Sequence, residues 1–158
     1  MSSPTQSAII WPQEFLPGTT SNFVTNEVIA SNLSTSQIWP LLSNISKWTS
    51  YYNNESVAPQ DGKPGRIAWS AHLEGGEEES VSVYHAWLVE DLSGGRVSIL
   101  TQESQNGKPA EELARRKPNK VLLGHQDWCE GLLMAARGME TGETNLKAAG
   151  LGAYPKDM

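Results

Sequence analysis

The chain has 158 residues, of which 38% are hydrophobic and 19% charged, and this balance indicates a single globular domain. Its formal net charge of −6, without a stripe of lysine and arginine, argues against nucleic acid as a partner. A single cysteine leaves no intrachain disulfide, and without a signal-peptide pattern or an apolar run of membrane-spanning length we expect a cytoplasmic protein with no membrane insertion.

The first 20 residues carry several prolines and no helical or strand period. This pattern predicts an extended N-terminal arm over residues 1–20. Its aromatic residues, Trp11 and Phe15, are the expected attachments of the arm to the rest of the protein.

The domain is predicted over residues 21–138. It opens with a strand over Phe23–Ala30, where β-branched residues are frequent. Ser34 and Gln37 then have the spacing of a capping box, which predicts the start of a short helix. A second short helix is expected to end near Tyr51-Tyr52.

An alternation of apolar and polar residues predicts antiparallel strands over Arg66–Glu74 and Val81–Val89, with a hairpin and a further strand after them. The odd-numbered residues of these strands form one apolar face, which includes Ile67, Trp69, Val83, His85, Trp87, Ile99, Thr101 and Glu103. Because opposed residues share a face, Glu103 is predicted to pair with His85 or with its diagonal neighbour.

A short helix over Pro109–Lys117 precedes a longer one, which Asn119 caps and which runs from about Lys120 to Met139. Its apolar stripe is predicted to face the sheet and consists of Leu122, His125, Trp128 or Cys129, Leu132 and Ala136. Residues 139–158 lose all periodicity and are predicted to form a disordered tail.

Several strings of the sequence resemble the START-like or Bet v 1-like superfamily, also called SRPBCC, and within it the polyketide cyclase/dehydrase and lipid-transport group. These strings are FLPGTTSNFVTNEV (15–28), IWPLLS (38–43), WTSYY (48–52), HAWLVEDL (85–92), ILTQESQ (99–105) and GHQDW (124–128). The resemblance implies an α+β helix-grip fold, in which a curved antiparallel sheet packs on a long C-terminal helix and encloses a hydrophobic cavity. Relatives have two further strands between the Tyr-Tyr segment and the next Asp-Gly-Lys-Pro-Gly turn, whereas this chain has only Asn53–Gln60 there, so the sheet is predicted to lack about two central strands.

His85 and Glu103 are the predicted catalytic pair, because a carboxylate beside an imidazole can hold the ring tautomer and tune its pKa. The alternative is a purely structural buried pair. His125 is predicted to point toward the sheet, either to complete this polar cluster or as a satisfied core residue. The three residues have acceptable ligand types for a metal, but they lack a short-spaced histidine pair, so neither a metal nor another cofactor is predicted.

The predicted lining of a ligand pocket consists of Trp69, Trp87, His125, Trp128 and Leu132, with Tyr52 near its mouth. The first functional hypothesis is the binding of a hydrophobic small molecule such as a lipid, a polyketide or an aromatic metabolite. The second is a cofactor-free cyclase, dehydratase or isomerase that uses the His-Glu pair. The third is a protein-interaction module or homodimer that pairs through an exposed sheet edge.

Overall fold

The computed structural model of the protein describes residues 7–43 and 53–138. Its strands are β1 (Asn22–Ser31), β2 (Asn53–Val57), β3 (Gly65–Leu73), β4 (Val81–Leu92) and β5 (Arg96–Asn106). Its helices are a short 3₁₀ helix (Gln13–Phe15), α1 (Thr35–Ser43), α2 (Lys108–Arg115) and α3 (Lys120–Ala136). The strands form one antiparallel sheet in the order β1-β5-β4-β3-β2. Together with the long C-terminal helix, the sheet has the predicted α+β helix-grip architecture.

The strand that the sequence does not predict is β2. Its residues, Asn53–Val57, are mostly polar and show no apolar alternation, and the strand pairs only with β3. It therefore forms one edge of the sheet within the described residues, and β1 forms the other edge. These two edges are where the predicted homodimer would have to pair.

Leu41 and Leu42, predicted to lead into a second short helix, belong to α1, which continues through Pro40. The rest of that predicted helix, residues 44–52, and the predicted tail over residues 139–158 lie outside the described residues.

The central hairpin of the sheet is formed by β4 and β5, which pair along their whole lengths. Gly94 and Gly95 in the connecting turn both have positive φ angles, 80° and 68°, a conformation that glycine adopts without steric cost. The register of this hairpin places His85 directly opposite Glu103. The predicted pairing is therefore confirmed.

The main hydrophobic core lies between the inner face of the sheet and the helices α1 and α3. Its largest members include Ile38, Leu42, Ile67, Trp87, Ile99, Trp128 and Leu132. The inward position predicted for Leu122 is wrong, because this residue is 37% exposed whereas Val121 is buried against Val24 and Leu113. Val121 lies four residues before His125, so it continues the same helical row, and Leu122 is turned away from it.

A second core lies on the opposite face of the sheet. The even-numbered residues Tyr84, Ala86 and Leu88 of β4 pack there against Ile9 and Phe15 of the N-terminal arm. The ring of Trp11 also contacts Tyr84, at a centroid distance of 5.5 Å. Trp11 and Phe15 therefore attach the arm to the sheet as predicted, and the arm covers apolar surface.

The backbone N–H groups at the start of α1 donate hydrogen bonds to two side chains. The side-chain oxygen of Gln37 accepts from the backbone N–H of Ser34 at 3.0 Å, which is one half of the predicted capping box. The carboxylate of Asp91, at the end of β4, accepts from the backbone N–H of Thr35 at 2.8 Å and from its hydroxyl at 2.9 Å. The start of α1 is thereby tied to the central hairpin.

We expect Asp91→Ala to lower the free energy of unfolding by about 1–2 kcal/mol, because it removes the acceptor for a backbone N–H at a helix start. Asp91→Asn is the matched control: it keeps one side-chain oxygen at this position and should cost less. Urea denaturation followed by circular dichroism measures both. Equal stability of the alanine variant and the unmodified protein would contradict this account of the cap.

Candidate functional site

Three ionisable side chains meet between the sheet and the C-terminal helix: His85 from β4, Glu103 from β5 and His125 from α3. The Oε2 atom of Glu103 lies 3.2 Å from Nδ1 of His85 and 3.0 Å from Nε2 of His125. All three side chains are buried. The predicted direction of His125, toward the sheet, is confirmed.

Each ring nitrogen of His85 has a polar side chain beside it, and Thr101 is the neighbour on the side away from Glu103. Nε2 of His85 lies 2.7 Å from the hydroxyl oxygen of Thr101, and that hydroxyl donates its own hydrogen to the carbonyl oxygen of Ala86 at 3.2 Å. Thr101 therefore orients the ring of His85, and Nδ1 is the nitrogen that faces Glu103. Burial lowers the pKa of His85 well below its usual 6.5; the neighbouring His125 adds to this effect and Glu103 opposes it.

A chain of amide side chains links Glu103 to the start of α3. Gln105 donates from Nε2 to Oε1 of Glu103, and Asn22 donates from Nδ2 to Oε1 of Gln105 at 3.0 Å. Asn119 donates to Oδ1 of Asn22 at 2.9 Å, and its own Oδ1 accepts from the backbone N–H of Val121 at 3.0 Å. The predicted cap of α3 and the carboxylate at the site therefore belong to one hydrogen-bond network.

The sequence interpretation does not assign Thr101, Gln105, Asn22 or Asn119 to the site. A signal for the first two exists, since Thr101 and Gln105 have the same odd parity on β5 as Glu103. Asn22 comes next to Gln105 only because β1 pairs with β5 in one particular register. That register joins the first strand to the last and cannot be read from local alternation.

Three tryptophan rings lie around His85. Trp69 lies 4.5 Å from the ring of His85, and Trp87 lies 4.8 Å from Trp128, both measured between ring centroids. Trp87 and Trp128 are buried, whereas Trp69 is only partly buried, so the aromatic cluster reaches the surface at Trp69. Leu132 is buried in the same core. Tyr52, predicted at the mouth, lies outside the described residues.

Two polar nitrogens in this cluster are buried without a hydrogen-bond partner among the described residues: Nε1 of Trp87 and Nδ1 of His125. An indole N–H or imidazole nitrogen buried without a partner costs about 1–3 kcal/mol. Most buried polar groups in native proteins are paired, and each exception needs a physical explanation. These two nitrogens are therefore the atoms at the site that are available to pair with a bound ligand or a water molecule.

The single cysteine, Cys129, is buried in the same core, one residue after Trp128. Burial raises the pKa of its thiol to about 12, and the nearby Glu130 acts in the same direction. Because the thiolate is the reactive form of cysteine, burial and the raised pKa both disfavour Cys129 as a nucleophile at neutral pH.

The five-stranded antiparallel sheet and the long C-terminal helix give the protein an α+β helix-grip fold. Hypothetical protein jhp0584 from Helicobacter pylori, known from a crystal structure, is 36% identical with a TM-score of 0.71, and the match covers 85% of this chain and 99% of that one. The chain belongs to the same family as this bacterial protein. No family model and no curated protein matches the chain.

Two further solved structures are similar at much lower identity. CalU16 from Micromonospora echinospora is 9% identical with a TM-score of 0.44, over 82% of this chain and 84% of that one. A START superfamily protein from Mycobacterium smegmatis is 13% identical with a TM-score of 0.33, over 82% of this chain and 99% of that one. At this level, neither likeness assigns a ligand or a reaction to this chain. In the part of the chain that the structure covers, no helix has the length and apolar character needed to cross a membrane.

Proposed function

We propose that the protein binds a small, largely apolar molecule between the inner face of the sheet and α3. The observation that carries this proposal is the pair of buried nitrogens, on Trp87 and His125, that have no hydrogen-bond partner among the described residues. A bound molecule with a polar atom would satisfy them while its apolar part contacts the tryptophan rings. A lipid, a polyketide or an aromatic metabolite has this combination of groups.

The aromatic cluster restricts the ligand further. The indole N–H of Trp87 is a donor only, so the ligand must bring an acceptor such as a carbonyl or hydroxyl oxygen. The rings of Trp69 and Trp128 lie 5.9 Å apart at an angle of 32°, and they offer broad apolar faces. Because Trp69 is partly exposed, it marks the side from which a ligand would enter.

Proton transfer to or from the bound molecule is the second candidate function, as in a cofactor-free cyclase, dehydratase or isomerase. It needs a ring nitrogen that a ligand can reach. Both nitrogens of His85 already face protein partners, Thr101 and Glu103. His125 has one nitrogen beside Glu103 and one without a partner among the described residues, so the geometry favours His125 over His85 as the group that exchanges the proton.

Trp87→Phe tests the binding proposal, because it keeps an aromatic ring and removes only the indole N–H. We expect one molecule of naringenin, an aromatic ketone, or of oleate to bind per chain and to quench tryptophan fluorescence. The variant should bind the same probe about threefold to tenfold more weakly, the effect of one lost hydrogen bond.

Trp11→Phe is the matched control for this experiment, since Trp11 packs on the outer face of the sheet against Phe23 and Tyr84. Its affinity for the probe should equal that of the unmodified protein. The proposal fails if neither probe binds with a one-to-one stoichiometry in native mass spectrometry, or if both tryptophan variants weaken binding equally.

A further inference from the structure

The three ionisable side chains of the site also have the composition of a metal centre. His85, Glu103 and His125 each offer one ligand atom, and these atoms lie within 4.8 Å of one another. Two of the separations are 3.0 and 3.2 Å. Neighbouring ligands around an ion with bonds of about 2.0–2.1 Å are about 3.0–3.4 Å apart. We propose that these residues bind a divalent first-row transition-metal ion.

Hydrogen bonds to the outer atoms of His85 and Glu103 leave one possible ligand atom of each residue directed at the space between the three side chains. Nε2 of His85 is hydrogen-bonded to Thr101, which leaves Nδ1 as the nitrogen directed at the site. Gln105 donates to Oε1 of Glu103, which leaves Oε2 as the oxygen nearest both histidines. Fixing the outer atom of each ligand in this way is what second-layer hydrogen bonds do at protein metal sites.

The ring of His125 has to turn for the ion to bind. The two imidazoles are stacked, with centroids 4.2 Å apart and planes at 14°, whereas a metal lies in the plane of each imidazole that binds it. His85 is held by Thr101, but Nδ1 of His125 has no hydrogen-bond partner among the described residues. Rotation of His125 therefore breaks no hydrogen bond at Nδ1. Metal binding should open the angle between the two rings.

The donor set indicates the class of metal. Two imidazole nitrogens and one carboxylate oxygen suit Zn²⁺, Fe²⁺ or Co²⁺, whereas Mg²⁺ and Ca²⁺ prefer sites made entirely of oxygen. Three protein ligands leave at least one coordination position for water or a bound molecule. The metal inference does not depend on the proposed binding of an apolar molecule. It rests on the three ligand atoms alone and can be tested by adding a metal salt without any organic ligand.

Titration of the chelator-treated full chain with CoCl₂ tests the inference. We expect one Co²⁺ per chain, visible d–d absorption from a protein-bound ion, and displacement of that absorption by ZnCl₂. His125→Phe and Glu103→Gln should each weaken Co²⁺ binding by about tenfold or more, since the first removes a ligand atom and the second replaces an anionic carboxylate donor by a neutral amide. His72→Ala is the matched control, because His72 is exposed on β3 and is the one other histidine in the chain.

The inference is overturned if the unmodified chain binds neither Co²⁺ nor Zn²⁺, or if both ligand variants keep full affinity. It is also overturned if His72→Ala alone abolishes binding. Circular dichroism shows whether each variant is folded; if Glu103→Gln is not, His125→Phe decides the question. A chain that binds oleate or naringenin but no ion disproves the metal inference alone, and the reverse result disproves the proposed function alone.

Discussion

Replacing Glu103 by alanine is expected to lower the free energy of unfolding by about 3–5 kcal/mol. Its carboxylate accepts from the amide of Gln105 and lies within 3.2 Å of a ring nitrogen of both His85 and His125. The alanine variant would leave these buried polar groups without that partner and would create a cavity beside them. Urea denaturation in the presence of a chelator, followed by tryptophan fluorescence, measures the change without a contribution from metal.

Gln102→Ala is the control, because this neighbouring side chain on β5 points to the other face of the sheet and donates to the hydroxyl of Thr25 at 3.2 Å. An exposed hydrogen bond of this kind contributes about 0.5–1.5 kcal/mol. Glu103→Gln, which keeps the shape and one oxygen, should fall between the two. A cost for Glu103→Ala no larger than that for Gln102→Ala would show that the buried network does not stabilise the fold.

The alternation of apolar and polar residues was sufficient to predict most of the sheet and the centre of the site. His85, Trp87 and Glu103 share an odd parity, and a strand places residues of one parity on one face. A short hairpin turn then limits the possible registers, and the structure has one of the two pairings expected for Glu103. Where the pattern is absent, as in the polar residues Asn53–Val57, nothing local predicts a strand, and β2 depends on its pairing with β3.

The partners of the individual atoms could not be predicted in the same way. Which nitrogen of His85 faces Glu103 depends on the side-chain rotamer and on Thr101, and neither is visible in a periodicity. The links from Gln105 through Asn22 to Asn119 depend on the pairing of β1 with β5, residues 83 apart in the chain at the Asn22–Gln105 bond. Local sequence therefore predicts which residues share a face of the sheet. The pairing of distant strands and the side-chain rotamers determine which hydrogen-bond partner each side-chain atom has.

The second core had a sequence signal that the odd-parity interpretation does not use. In β4 the even-numbered residues Tyr84, Ala86 and Leu88 are as apolar as the odd-numbered ones, which is typical of a strand that is covered on both faces. A sheet with only helices on its inner face would expose these side chains to water. The cover is the N-terminal arm, whose Ile9 and Phe15 are buried against them.

A chain that starts at residue 21 is therefore expected to be strongly destabilised and to associate through its outer sheet face. Loss of Phe15 alone, in Phe15→Ala, should lower the free energy of unfolding by about 3–5 kcal/mol, the usual cost of truncating a buried phenylalanine. Ile10→Ala is the control, since Ile10 is 72% exposed and its loss should change stability by about 0.5 kcal/mol or less. Urea denaturation measures the variants, and light scattering measures the size of the shortened chain. A shortened chain that stays monomeric and unfolds at the same urea concentration as the full chain would contradict a structural role for the arm, because the apolar surface of Tyr84, Ala86 and Leu88 would then need no cover.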